Sequence, residues 1–397
     1  MKLGTSSVVV AAFVGPGTVL TCASAGVGFG YALGWALLFA TAATFVLQTL
    51  TAGTGILAGR GLGEAIREET RPGAGRAVAV GLVVLGLWVG CAAFELGNLL
   101  GAASGAAVLL GVEGDLRALV VAVAAAAGLI LLLDLRHVVP VLAALVAGMG
   151  VLFVGALAAA PVDWAAAARG LVVPALPEGA TVTAAALVGT TVVTYNLFLH
   201  PAVAKRYWAS EPDRRRAWRR EVAGMAVFLP LGGLVSFAVL AVGAAVGGER
   251  PADVAAFARL LEPVAGGAAR TLFGLGLLAA ELTSAVTAPL AAAAGVREVF
   301  GWPEGDGRVR LVWASVLLTG VVLGLAGWSP LGAVVAAQAA NGVLLPAVAA
   351  FMLALTLRQD ALALPRWYGV LGGAVVAVCA GLGARTLWWV WGQVAAP

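Results

Sequence analysis

Eleven apolar runs, each long enough to cross a lipid hydrocarbon layer, follow one another along this chain with only short polar segments between them. A spanning helix needs about 17–25 mainly apolar residues. The runs fall at roughly 7–28, 31–58, 77–110, 117–134, 138–160, 181–202, 221–247, 268–296, 309–327, 330–356 and 367–391. They predict an all-α polytopic membrane protein with about eleven transmembrane helices. Charged residues make up 11% of the chain, against about 25% in soluble domains. That is too few to clothe a water-exposed surface of this size. No polar stretch is large enough to house a second domain, so residues 1–397 read as one transmembrane domain. The start of the chain mimics a cleavable leader, with Lys2, an apolar run and Ala23-Ser24-Ala25. However, Gly15-Pro16-Gly17 interrupts the run and no soluble domain follows.

Basic residues orient the helices, because they concentrate in cytoplasmic loops. With the N-terminus inside and eleven spans, 18 of the 24 Lys and Arg residues fall inside and 6 outside. The C-terminus is then outside. The cluster from Lys205 to Arg220 reads as a topology anchor, and the net charge of +4 carries no nucleic-acid signature. Among the basic residues only Lys2 and Lys205 are lysines, a bias typical of a GC-rich bacterial gene and hence of an inner-membrane protein. His200 and His137 read as interfacial. No catalytic cluster or cofactor motif is present, so neither an enzyme nor a bound cofactor is expected.

Two spans carry interruptions. The first holds Gly15-Pro16-Gly17-Thr18 at mid-membrane, where proline removes a backbone donor and glycine weakens the helix. The sixth holds Thr190-Thr191-Val192-Val193-Thr194-Tyr195-Asn196. Each alone reads as a kink or as interhelical hydrogen bonding. Five spans apart, they match two five-helix repeats, each opening with a broken helix. The repeats would cover about 7–160 and 181–356, with an extra helix at about 367–391. Unwound backbone at membrane depth exposes N–H and C=O groups that lipid cannot satisfy. Such groups suit a small solute or ion, with Thr18, Thr21, Thr194, Tyr195 and Asn196 alongside. Gln338 and Asn341 share one face of the tenth span, as helix glue or as a wall of the solute cavity.

Two of the 20 acidic residues lie well inside spans, Glu95 in the third and Glu281 in the eighth. A carboxylate there faces the bundle interior and takes part in proton or cation handling, or serves as a hydrogen-bonded structural group. Asn98 shares a face with Glu95, and Thr283 and Ser284 adjoin Glu281. The coupling ion implied is a proton or sodium.

Several segments in register resemble the NRAMP family of proton-coupled divalent-metal transporters. They are Gly15-Pro16-Gly17-Thr18, Ala25-Gly26, Phe29-Gly30-Tyr31 and Trp35, then Gln48-Thr49-Leu50 and Gly63-Glu64-Ala65. Asn196-Leu197-Phe198-Leu199-His200, Leu261-Glu262-Pro263, Thr271 to Ala280, and Gln338 with Leu345-Pro346 continue the likeness. The resemblance implies a LeuT-type fold, a 5+5 inverted repeat with broken helices 1 and 6. It also implies where the family's metal ligands fall. The family's metal-binding Asp is Gly15 here and its Asn is Thr18. Its Met is Val193, and the following Pro-His is Thr194-Tyr195. Gln338 keeps the tenth-helix amide. Glu95 keeps the carboxyl of the family's proton acceptor, Asn98 replaces a nearby Glu, and Glu281 stands where a small residue is usual.

Transition metals need carboxylate or soft ligands to offset dehydration. With glycine, threonine and valine at those places, the expectation is an ion-coupled secondary transporter whose cargo is a non-transition metal or a small polar solute. No metal site is assigned by sequence. Two alternatives stand: a divalent-cation transporter using Glu281 with backbone oxygens, and a channel or non-transporting sensor.

Overall fold

The computed structural model describes residues 16–69, 73–133, 138–247, 254–359, 362 and 364–395. These form helices and connecting turns. The first seven are α1 (Pro16–Phe29), α2 (Gly34–Ile56), α3 (Leu62–Glu69), α4 (Ala74–Leu110), α5 (Arg117–Leu132), α6 (Val138–Ala159) and α7 (Trp164–Val172). Then come α8 (Thr181–Thr191), α9 (Thr194–Tyr207), α10 (Arg214–Val246), α11 (Ala269–Phe300), α12 (Gly307–Gly324), α13 (Pro330–Leu357) and α14 (Arg366–Ala395). Among the described residues, nine helical segments are long and apolar enough to cross a membrane. Two shorter apolar helices, Gly17–Phe29 and Arg117–Leu132, bring the apolar segments to the expected eleven. The fold is all-helical and polytopic.

Helix starts follow capping chemistry. Asp163 accepts from the Ala165 and Ala166 amides, and Asp213 from Arg216. Asp306 accepts from Arg308, and Ser329, just before Pro330, from Gly332. Each satisfies donors that a helix start leaves unpaired, typically for about 1 kcal/mol. Gly111 and Gly301 end α4 and α11 in the left-handed region, both at φ 67°, where a side chain is strained.

Two short helices do not emerge from the apolar runs. α3 buries Leu62, Ala65 and Ile66 and turns Glu68 outward. The segment just after α7 is tied to the start of α2 where the Trp35 indole donates to the Ala175 carbonyl at 2.8 Å. Segments of eight and nine residues are too short to register as spans. Caps and tertiary contacts hold them instead.

The apolar interior divides in two. A larger cluster joins α1, α2, α8, α9, α10, α11 and α13 with parts of α3, α4, α6 and α14. A smaller one joins α4, α5, α11 and α12 through Leu99, Ala103, Ala127, Ala285, Ala293 and Leu317.

The basic end is held together by ion pairs. Lys205 donates to Glu64 at 2.6 Å, Glu298 accepts from the Gly63 amide, and Glu304 lies between Arg206 and Arg297. Burial pushes the Glu64 carboxyl up, but the Lys205 ammonium, the Gly61 amide and Arg67 outweigh it and hold the group below its ordinary value. A depressed value contributes stability above the unfolded pKa, about 4.3 for glutamate, and loses it as pH falls through the folded one. The pair is partly exposed, so the effect is small. The stability gap between wild type and Glu64→Gln is expected at neutral pH and should close as pH falls through the lowered carboxyl pKa, measured by thermal unfolding in detergent.

Candidate substrate and ion site

The sixth span is unwound where the sequence places its β-branched patch. α8 ends at Thr191 and α9 begins at Thr194. Val192 (φ −91°, ψ 81°) and Val193 (φ −83°, ψ 117°) between them are non-helical. β-branched side chains are stiff and helix-averse, which favours a break in this run. The companion interruption begins at Gly15, which lies outside the described residues. The described part of the first span, α1, starts at Pro16.

The unwound groups are largely claimed by side chains. Asn341 on α13 donates through Nδ2 to the Gly189 carbonyl at 2.6 Å and the Val192 carbonyl at 2.9 Å. Its Oδ1 accepts from the Thr194 hydroxyl at 2.8 Å and the Thr194 amide at 3.4 Å. Thr44 on α2 donates to the Thr191 carbonyl. Asn341 thus bridges both halves of the broken helix and has no donor left for cargo. Thr18 on α1 shares a 2.9 Å hydrogen bond with Thr190, joining the two interrupted spans directly.

Gln338, one turn before Asn341, sits between the same spans. A Cβ on Gly17 would collide with its amide nitrogen, and one on Gly189 with its backbone oxygen. The Gln338 side-chain oxygen is buried without a hydrogen-bond partner, as is the Thr21 hydroxyl. Val193 within the break, and Tyr195 and Asn196 just after it, are buried. Tyr195 packs edge-on against Phe94, with ring centroids 5.4 Å apart.

The third and eighth spans meet along glycine. On α4 the polar and small residues Glu95, Asn98, Gly101 and Ser104 recur every third position, each adjoining the one before while the series winds around the helix by about 60° a step. Gly101 receives the Glu281 carboxyl, and Gly105 approaches the α11 backbone at Leu278. Gly320 on α12 makes room for the stem of Glu95. Glu95 and Glu281 are 0% and 1% exposed. Asn98 donates to Glu95 Oε2 at 3.3 Å. The other Glu95 oxygen and Glu281 Oε1 are unpartnered. Thr283 donates to the Ala279 carbonyl of its own helix, and Ser284 is buried beside it.

Opposite the basic end lies a cavity of about 650 Å³, lined by Ser24, Ser104, Glu113, Thr183, Arg270 and Ser329 among others. Sequence reading missed these residues. The three-residue stripe on α4 was the available signal for Ser104. His200 corrects an expectation: it is buried, not interfacial. Its ring lies between Gln48 Oε1 (2.5 Å) and Glu221 Oε1 (3.1 Å), and the other Glu221 oxygen accepts from Trp208. Polar partners on α2 and α10 are what draw it inward. His137 lies outside the described residues.

A polytopic bundle with a spanning helix unwound beside a buried amide has the architecture of a secondary transporter. The family model described as natural resistance-associated macrophage protein-like matches residues 6–389. A divalent metal cation transporter MntH from Burkholderia ambifaria is 31% identical over 396 residues, covering 95% of this chain and 86% of the relative. The MntH of Yersinia pestis is 33% identical over 304 residues, 73% of this chain and 70% of that protein. The solved Eremococcus coleocola manganese transporter superposes with a TM-score of 0.76 at 19% identity, over 99% of this chain and 87% of the other. Mhp1, a nucleobase-cation-symport-1 family transporter, gives 0.56 at 16% identity, over 98% and 93%. The chain belongs to the Nramp family.

Proposed function

We propose that this protein is an ion-coupled transporter of a hard divalent cation. Its curated relatives are named as divalent metal cation transporters over most of their length. That favours metal cargo over the small polar solute expected from the missing Asp, Asn and Met. The donor set sets the kind of metal. At the break the side chains offer Thr18, Thr21, Thr194, Tyr195, Asn196 and Gln338, all oxygen donors, with Val193 where the family has sulfur. Oxygen-only sites suit magnesium, calcium or manganese, which keep part of their water shell. The observation that carries the reading is the buried, unpartnered Gln338 oxygen between α1 and the unwound segment.

The basic end faces the cytoplasm of a bacterial inner membrane in this reading, and the cavity faces outside. The coupling ion is a proton handled at Glu95. Proteoliposomes containing the protein are expected to accumulate Mn²⁺ or Mg²⁺ above equilibrium under an inward proton gradient. Absence of uptake, or uptake that only follows the metal gradient, would overturn the assignment. Glu95→Gln is expected to flatten the pH dependence of uptake, and an unchanged profile would refute the role of Glu95.

A further inference from the structure

We propose that the groove between α2, α10 and α14 holds an acyl chain of an anionic phospholipid whose phosphate sits on the arginines at the basic end of α10. The groove has a volume of about 650 Å³ and is walled by Leu38, Phe45, Ala226, Leu234, Phe237 and Leu371 among others. Leu38, Leu234 and Leu371 are exposed, and all three helices are long and apolar enough to cross the membrane. The groove therefore opens to lipid. Thr41 is the one hydroxyl among its lining residues, and it donates to the Leu37 carbonyl of its own helix at 2.8 Å. No side-chain polar group is left there for a polar solute, whose burial would go uncompensated.

Charge and groove lie on one stripe of α10. At 3.6 residues per turn, Arg215, Arg219, Ala226, Pro230, Gly233 and Phe237 fall within about 60° of one another around the helix. The last four line the groove. The two arginines are exposed. Arg220 pairs with Glu211, whereas Arg215 and Arg219 form no ion pair among the described residues. From Ala226 to Phe237 the axis runs about 16 Å, close to the ~15 Å that one leaflet adds to the hydrocarbon core. Arg219 stands a further ~10 Å along, which carries its guanidinium beyond the mouth of the groove to headgroup depth.

The mouth carries the aromatic residues expected where acyl chain meets headgroup. The Trp218 indole donates to the Thr49 carbonyl on α2 at 3.3 Å, and its ring lies 6.1 Å from that of Tyr368 on α14. One side chain of α10 thus ties all three walls together. Trp367 stacks on Tyr368, is half exposed, and lies one turn before Leu371 on the same face of α14. The arginines also decide between a lipid and a second copy of this chain. Two copies meeting through this face about a two-fold axis along the membrane normal would set like arginines together at one depth, a costly juxtaposition. A phosphate instead pairs the same charges.

Native mass spectrometry of the purified full-length protein, delipidated and then offered dioleoyl phosphatidylglycerol or dioleoyl phosphatidylcholine, tests the assignment. Wild type is expected to retain phosphatidylglycerol with at least about tenfold preference. Arg215→Gln combined with Arg219→Gln is expected to lose that preference. Ala226→Phe, which fills the groove and leaves the arginines in place, is expected to weaken phosphatidylglycerol retention by a similar factor, and Leu371→Trp repeats the test from the opposite wall. Thermal unfolding without lipid checks that each variant is folded. Equal retention of the two lipids by wild type, or an undiminished preference in the double arginine variant, would overturn the headgroup site. Wild-type retention in both groove-filling variants would overturn the groove as the seat of the chain. A dimer that Ala226→Phe disrupts and lipid leaves unchanged would give the groove to a second copy instead.

Discussion

Replacing Asn341 by leucine is expected to abolish uptake and to lower thermal stability markedly. Interhelical hydrogen bonds in membranes average only about 0.6 kcal/mol when both partners can re-pair. Here the partners cannot. The Gly189 and Val192 carbonyls flank an unwound segment, and Asn341 Nδ2 is the donor to both. Leucine fills the volume and leaves two buried acceptors without a donor, at about 1–3 kcal/mol each. The Thr194 amide and hydroxyl lose their acceptor as well. Fluorescence-detected thermal unfolding and uptake into proteoliposomes read the two effects. A variant that unfolds and transports like wild type would show that the break holds itself open without α13.

The second large effect separates two glycines that touch the same residue. A methyl at Gly17 meets the far end of the Gln338 side chain, whereas a methyl at Gly189 meets the Gln338 backbone oxygen. A side-chain amide can rotate away and a backbone cannot. Gly17→Ala is therefore expected to fold normally yet lose at least about tenfold in uptake, because the Gln338 oxygen is displaced from between the interrupted spans. Gly189→Ala should be destabilised outright, since overpacking a close helix crossing costs about 1–3 kcal/mol or more. Comparing melting temperature with uptake rate in both variants tests the contrast. Equal uptake by wild type and Gly17→Ala would remove Gln338 from the transport path.

The spans were legible because twenty-odd apolar residues have few destinations other than lipid. The break at Val192 and Val193 was legible for a similar reason: a β-branched run with hydroxyls on either side is a poor helix and a good acceptor of partners. What the sequence left open was who those partners are. Gln338 and Asn341 look alike as amides one turn apart, and only the crossing of α13 over α8 assigns one to the carbonyls of the break and leaves the other with an unpartnered oxygen. His200 looked interfacial because its neighbours in sequence are basic. Its neighbours in space, Gln48 and Glu221, come from α2 and α10, distances along the chain that no local pattern reports. The short helices α3 and α7 escaped notice because their stability is tertiary.

The two-part interior has a mechanical corollary. α4 and α11 contribute to both apolar clusters, with Phe94 and Phe273 in the larger and Leu99 and Ala285 in the smaller. Their backbones approach closely at Gly105. The pair is therefore a party wall between the two halves, and a repacking of the valines at the break is transmitted through it to the far side.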